Sequence, residues 1–278
     1  MPGREPTSMM RGIAIVIVLI VGLVGTTNAK PQRVVSINLC TDQLVVTLAD
    51  PARIVSLYRT SADPSFSYVA DRLPKVVYNR GLAEEVLVLK PDLVIAGVFT
   101  TRATVAILRR HDIPVIELPL IDSFAAVRQQ VMHVATALGE EARGRSLLDD
   151  MDRRLERVAH VGPRRPALLV GSGLFTNGQG TLLDEALTAA GLENVAARRG
   201  VVGFSRIGLE QLLAAAPDVV IIPDDPQRRP SLSAQLLRHP ALGDLARRRT
   251  VVSIPAALWS CGGPFIVEAV ERLAEAAR

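Results

Sequence analysis

A short element occurs twice in this chain and constrains its fold more than anything else in the sequence. Residues Glu84–Ile95 read EEVLVLKPDLVI and residues Glu210–Ile221 read EQLLAAAPDVVI. Each copy has a glutamate, an apolar stretch at helical spacing, Pro-Asp, and then a strand-like apolar run. The glutamate precedes the proline by seven positions in both. Self-similarity at long separation marks a duplicated architecture. With only two copies, the expectation is a pair of similar lobes with a cleft between them, a favoured place for a ligand.

Around these elements, strand-like and helical segments alternate. Strands are expected at Arg33–Asn38, Ile54–Tyr58, Val76–Tyr78, Leu93–Val98 and Val115–Leu118, with helices at Asp42–Ala49, Ala83–Leu89 and Arg102–His111. A second series follows. It has strands at Ala167–Gly171, Asn194–Ala196, Val219–Ile222 and Thr250–Ile254, and helices from Thr181, at Leu209–Ala215, at Ser233–Leu237 and from Phe265 to the end. Ser61–Leu73 reads as loop and short helix, and Ser172–Gly180 as a loop. Such alternation points to βα units around mostly parallel sheets. Between the two series, Ser123 caps a helix to Leu138, Gly139 breaks it, and Glu140–His160 carries an apolar stripe suited to one long amphipathic helix. That helix is either an ordinary surface helix or a strut joining two lobes.

The N-terminus has Arg4 and Arg11, then an apolar run over Ile13–Gly25, then the small residues Thr27-Asn28-Ala29. This is the layout of a cleavable export signal. The run of about 13 residues falls short of the roughly 20 that a membrane-spanning helix needs, and an uncleaved anchor is the competing reading. Export makes Cys40 and Cys261 candidates for a disulfide, with two free thiols near a ligand as the alternative. The formal net charge of +4 is spread along the chain, and no basic block interleaved with aromatics suggests a nucleic-acid surface.

Reactive motifs are scarce. The histidines His111, His133, His160 and His239 form no HExxH or HxH arrangement and read as helix surface. Neither a metal site nor a cofactor is expected. Gly171-Ser172-Gly173 is not a nucleophile elbow, and the Rossmann glycine fingerprint fails at Thr176. No Walker A sequence is present, so any ATP hydrolysis lies on another subunit. Glu84 and Glu210 begin helices, where a dipole favours a carboxylate, and their matched placement also suits a symmetric docking surface for a basic partner. Tyr58, Tyr78, Phe99, Phe175, Phe204 and Trp259 fall just after strands or in the following loops, where ligands of open α/β sheets sit. Arg80, Arg102 and Arg206 share those zones and could meet carboxylates of an acidic ligand.

The segments RVVSINLCTDQLVVTLA, KPDLVIAG after Glu84, GLEN, PDVVII after Glu210, LLRHPALGDL and LWSCGGP together resemble the periplasmic substrate-binding proteins of ABC importers for vitamin B12, iron–siderophores and haem. The resemblance implies a class III binding-protein fold: α/β, with two Rossmann-like lobes of mostly parallel sheets joined by one long α-helix. It divides the chain into a signal peptide (1–29), an N-terminal lobe (30–138), a backbone helix (139–162) and a C-terminal lobe (163–278) whose final helix packs back towards the first. It further implies a monomeric, non-enzymatic, periplasmic protein that carries a metal chelate to a permease with its ATPase subunit. Cobalamin is the first choice, ferric siderophore the second and haem the third. Glu84 and Glu210 match the family's permease-docking glutamates. Cys40, Trp259 and Cys261 fall near the ligand or in a bridge beside it. An exported enzyme acting on a tetrapyrrole, or a ligand sensor on the same scaffold, is the alternative.

Overall fold

The computed structural model describes residues 29–100, 102–159, 162–224 and 247–278. The expected export signal through Asn28, the expected helix at Ser233–Leu237, the LLRHPALGDL stretch, His160 and His239 lie outside them.

The first series folds as β1 (Val34–Ser36), α1 (Leu39–Leu48), β2 (Ile54–Tyr58), β3 (Val77–Asn79), α2 (Ala83–Leu87), β4 (Leu93–Gly97), α3 (Arg102–Arg110) and β5 (Val115–Leu118). Its five strands form a parallel sheet in the order β3-β2-β1-β4-β5. A helical hairpin follows, α4 (Phe124–Leu138) and α5 (Glu141–Val158). The second series is β6 (Arg165–Leu169), β7 (Phe175–Asn177), α6 (Leu182–Ala189), β8 (Leu192–Asn194), α7 (Val195–Arg198), β9 (Phe204–Arg206), α8 (Leu209–Ala215), β10 (Val219–Asp224), β11 (Thr250–Pro255) and α9 (Ile266–Ala277). Four of these strands make a second parallel sheet, β11-β10-β6-β8. β7 and β9 pair antiparallel as a separate ribbon. The molecule is thus an α/β protein with two mostly parallel sheets in two lobes.

The unbroken apolar runs of the repeated element have a direct physical origin. Side chains alternate between the faces of a strand, and here both faces are covered. Val34, Leu93 and Ile95 point into a core shared with the second lobe, while Val35, Val94 and Ala96 face a separate cluster under α2 and α3. In the second sheet Ala167, Leu169, Val219 and Ile221 join the shared core, and Leu168 and Val220 join an outer cluster with Val195 and Leu212. The two copies also turn alike. Lys90 and Ala216 take left-handed φ values of 46° and 44° before their prolines. The aspartates then brace a neighbour. Asp92 accepts from the N–H groups of Gln32 (2.7 Å) and Arg33 (2.8 Å), and Asp218 accepts from the Arg249 guanidinium at 3.0 Å.

Helix α5 is tied to both lobes. Gly139, at φ 69°, makes the left-handed turn that lets α5 fold back along α4, and Arg128 on α4 pairs with Asp152 on α5. Leu148 and Met151 face the core. Arg143 donates to the last carbonyls of α1, on Leu48 and Ala49, both at 3.1 Å. Arg154 forms a bidentate pair with Glu271 of α9, at 2.9 and 2.6 Å. Eighteen helical residues give a rod of about 27 Å.

One expected strand shifts. Asn194–Ala196 is not a strand: β8 ends at Asn194, whose side chain accepts from the N–H of Ala196 (3.1 Å) and so opens helix α7. The Ser172–Gly180 segment, read as loop, supplies strand β7. His111 and His133 are exposed.

Asp42 holds the segment that leads into the cleft. It is fully buried on α1 and accepts from the Tyr58 N–H (2.7 Å) and the Ser61 hydroxyl. Burial pushes its carboxyl up to about 8, against the lowering effect of those bonds. The folded chain therefore binds this proton more tightly than the unfolded chain does. Its contribution is complete below the unfolded value of 3.8 and is lost as pH climbs towards 8. Urea unfolding between pH 5 and 8 is expected to show stability declining with pH, and Asp42→Asn to flatten that slope. Equal slopes in the two proteins would show that Asp42 does not carry it.

Candidate functional site

A cleft of about 870 Å³ opens between the lobes. It lies at the carboxyl ends of the strands, where each sheet reverses its strand order. In the first sheet the reversal falls between β1 and β4, and the wall there is built from the start of α1 and from Gly97–Phe99. In the second sheet it falls between β6 and β10, and Gly171 and Pro223 contribute. Neighbouring strands send their crossovers to opposite faces at such a point, which leaves a crevice.

The walls are mainly apolar and aromatic. On the first lobe Phe66, Val98, Phe99 and Leu120 line the cleft, with Phe99 80% exposed. On the second the β7–β9 ribbon lines it. Phe175 and Phe204 stack with ring centroids 4.8 Å apart and planes within 5°, and Phe204 remains 67% exposed. Large aromatic side chains left in solvent on both walls are surface that an apolar ligand would cover.

The floor is closed by Trp259–Gly262. Cys261 is disulfide-bonded to Cys40, with Cα atoms 5.1 Å apart, and both half-cystines line the cleft. Gly262 passes so close to Ile121 that a Cβ would sit 2.3 Å from that side chain, so the two lobes meet here without room for a larger residue. Behind the floor, Tyr68 stacks on Phe265 at 4.5 Å and donates its hydroxyl to Glu268 of α9. Burial first, then the Glu268 carboxylate, pushes the Tyr68 phenol up to about 12. The Phe124 N–H donates to Glu185 of α6 at 2.7 Å. These contacts join the lobes beside the cleft.

Of the residues singled out in the sequence, the fold brings Cys40, Phe99, Phe175, Phe204, Trp259 and Cys261 together on the cleft wall. Arg206 lies opposite Phe175 on the ribbon. Its guanidinium sits 5.7 Å from the Phe175 ring centre and its Nε donates to the Gly173 carbonyl. Tyr58, Tyr78, Arg80 and Arg102 do not line the cleft. Tyr78 is on β3, the sheet edge farthest from the strand-order reversal, and Arg80 pairs with Glu85 at 2.6 Å. Arg102 is exposed at the start of α3. Sequence reasoning missed Ser65, Phe66, Leu120 and Asp122. The apolar run continuing past β5 through Leu120 and Ile121 was the available signal.

Glu84 and Glu210 are both exposed, each the second residue of its helix, and neither forms an ion pair among the described residues. Among those residues there is also no group of three or more metal-holding side chains and no helix long and apolar enough to cross a membrane.

Residues 34–257 match a family described as periplasmic binding protein. The chain is similar to a periplasmic heme-binding protein from Pseudomonas aeruginosa, at 27% identity over 89% of this chain and 92% of that one, TM-score 0.72. It is similar also to the periplasmic heme-binding protein BhuT, solved in complex with two hemes, at 29% identity over 88% and 99%, TM-score 0.70. The fold is shared with the periplasmic vitamin B12-binding protein BtuF of Vibrio cholerae, at 18% identity over 89% and 97%, TM-score 0.63. No curated protein matches the chain in sequence.

Proposed function

The chain belongs to the periplasmic binding protein family of ABC transporters, and from that membership we propose that it captures a metal chelate in the inter-lobe cleft and hands it to a membrane permease. Cobalamin is the leading candidate, ferric siderophore the next and haem the third. The observation that carries this reading is the opposed pair of exposed aromatic surfaces, Phe99 on one lobe and Phe204 on the other, flanking an apolar cleft. Such walls suit a large ligand with flat, apolar faces. Two heme-binding relatives keep haem in the set.

In this reading residues 1–29 are a cleavable export signal. The lobes are 30–138 and 163–278, braced by 139–162, and the protein works as a periplasmic monomer. Glu84 and Glu210 present one carboxylate on each lobe to basic residues of the permease, and the ATPase subunit supplies the energy. The protein itself binds and releases without covalent chemistry.

Purified mature protein titrated with cobalamin, ferric siderophores and haem, followed by absorbance, tests the reading. Saturable one-to-one binding of a chelate in the micromolar range or tighter is expected, corresponding to about 8 kcal/mol or more of binding free energy. Binding of none of the three would overturn it.

A further inference from the structure

Most polar side chains on the cleft wall already have partners. Asn38 Oδ1 accepts from the Cys40 N–H at 2.9 Å, and Thr41 Oγ1 donates to the Asn38 carbonyl at 2.9 Å. Gln130 Nε2 donates to the Pro119 carbonyl at 2.6 Å, and Thr181 caps α6. Asn177 and Ser260, on the same wall, are neither buried nor charged; Ser65 and Asp122 stand apart from them. Ser65 is only 7% exposed, and although its N–H donates to Asp63, its hydroxyl has no hydrogen-bond partner. Asp122 is exposed just beyond β5. Its carboxylate accepts from the adjacent Ser123 hydroxyl (3.1 Å) and forms no ion pair among the described residues.

None of the arginines expected to favour an acidic ligand, Arg80, Arg102 and Arg206, pairs with that carboxylate among the described residues. Arg80 is held by Glu85, and Arg206 lies over Phe175 with its Nε on the Gly173 carbonyl. Among the described lining residues Asp122 is the charged one. A carboxylate only accepts hydrogen bonds and repels anions. A buried hydroxyl without a partner is unfavourable until a ligand atom satisfies it.

Building on the delivery role above, we propose that Asp122 and Ser65 select a chelate whose rim carries hydrogen-bond donors, amide NH₂ or hydroxyl groups, against one whose rim carries carboxylates. The apolar walls hold the flat faces of either class, and the two polar residues discriminate at the edge.

The chain has a single tryptophan, Trp259, and it lies on the cleft wall, so its fluorescence reports occupancy directly. Cobinamide, an amide-rimmed corrinoid, and hemin, which carries two carboxylates, are the probes. The wild-type protein is expected to bind cobinamide the more tightly. Asp122→Asn should weaken cobinamide about tenfold while tightening hemin, and Ser65→Ala should weaken cobinamide several-fold. Tighter hemin binding by the wild type, or a preference unchanged in Asp122→Asn, would overturn the proposal while leaving chelate capture standing. Binding of neither corrinoid, hemin nor a ferric siderophore would bring down the delivery role, and the selection rule with it.

Discussion

Replacing Glu84 and Glu210 together by lysine is expected to cut import to background, a loss on the order of 100-fold or more, with ligand affinity unchanged. The reason lies in where the two carboxylates sit. Each is the second residue of a short helix, α2 or α8, immediately upstream of the duplicated Pro-Asp turn. Each is exposed and forms no ion pair within the described chain, and neither lines the cleft. Charges so placed suit encounter and orientation with a partner of opposite sign, and reversing them would put like charges face to face at both ends of the proposed docking surface. Glu85 is the internal control. Its carboxylate accepts from the Arg80 backbone N–H (2.7 Å) and side chain (2.6 Å), and those bonds hold it below the usual carboxylate range. Glu85→Gln should therefore leave import intact. Uptake in cells carrying the cognate permease, paired with ligand titration of the purified variants, reads both quantities. Full uptake by the double variant, or a parallel loss of ligand binding, would remove these residues from docking.

The repeated element was legible because one physical requirement shapes both copies. A strand covered on both faces must be apolar at every position, and PDLVI and PDVVI meet that requirement for β4 and β10. The boundary at Asn194 was not legible. A β-branched valine follows it, which favours a strand on local grounds, whereas the Asn194 side chain caps α7 through tertiary placement. The β7–β9 ribbon was hidden for a related reason. Three-residue strands with 26 residues between them carry no usable period, and their pairing shows only once Phe175 is set against Arg206.

The site divides along the same line. Aromatics just beyond strands that border the strand-order reversal, Phe99 and Phe175, reach the cleft, and the same rule applied to the edge strand β3 fails for Tyr78. Strand order decides which carboxyl ends face the ligand, and the local sequence does not encode strand order. Ser65 and Asp122 escaped because a serine after Asp-Pro and an aspartate before a helix cap read as turn chemistry. Only the cavity distinguishes them from ordinary turn residues.

Removing the Cys40–Cys261 bridge should lower the stability of the molecule substantially. The bridge links residues 221 positions apart, so it closes most of the chain into a loop. The restriction it places on the unfolded chain grows with the logarithm of that length and reaches about 5 kcal/mol on the chain-entropy account. It also joins the first turn of α1 to the cleft floor, beside the close approach of Gly262 to Ile121. A Cys40→Ala, Cys261→Ala double variant is expected to lose roughly 2–5 kcal/mol in urea unfolding and to bind ligand in the cleft more weakly, because the floor is no longer pinned to the first lobe. Reductant should shift the wild-type midpoint towards that of the variant and leave the variant unmoved. The Arg154–Glu271 pair and the Tyr68–Glu268 bond still join α9 to the rest of the molecule in the variant, so the lobes stay together and the loss appears as lower stability rather than as separation. A wild-type midpoint indifferent to reductant would mean that these non-covalent ties already hold the seam and that the bridge adds nothing to them.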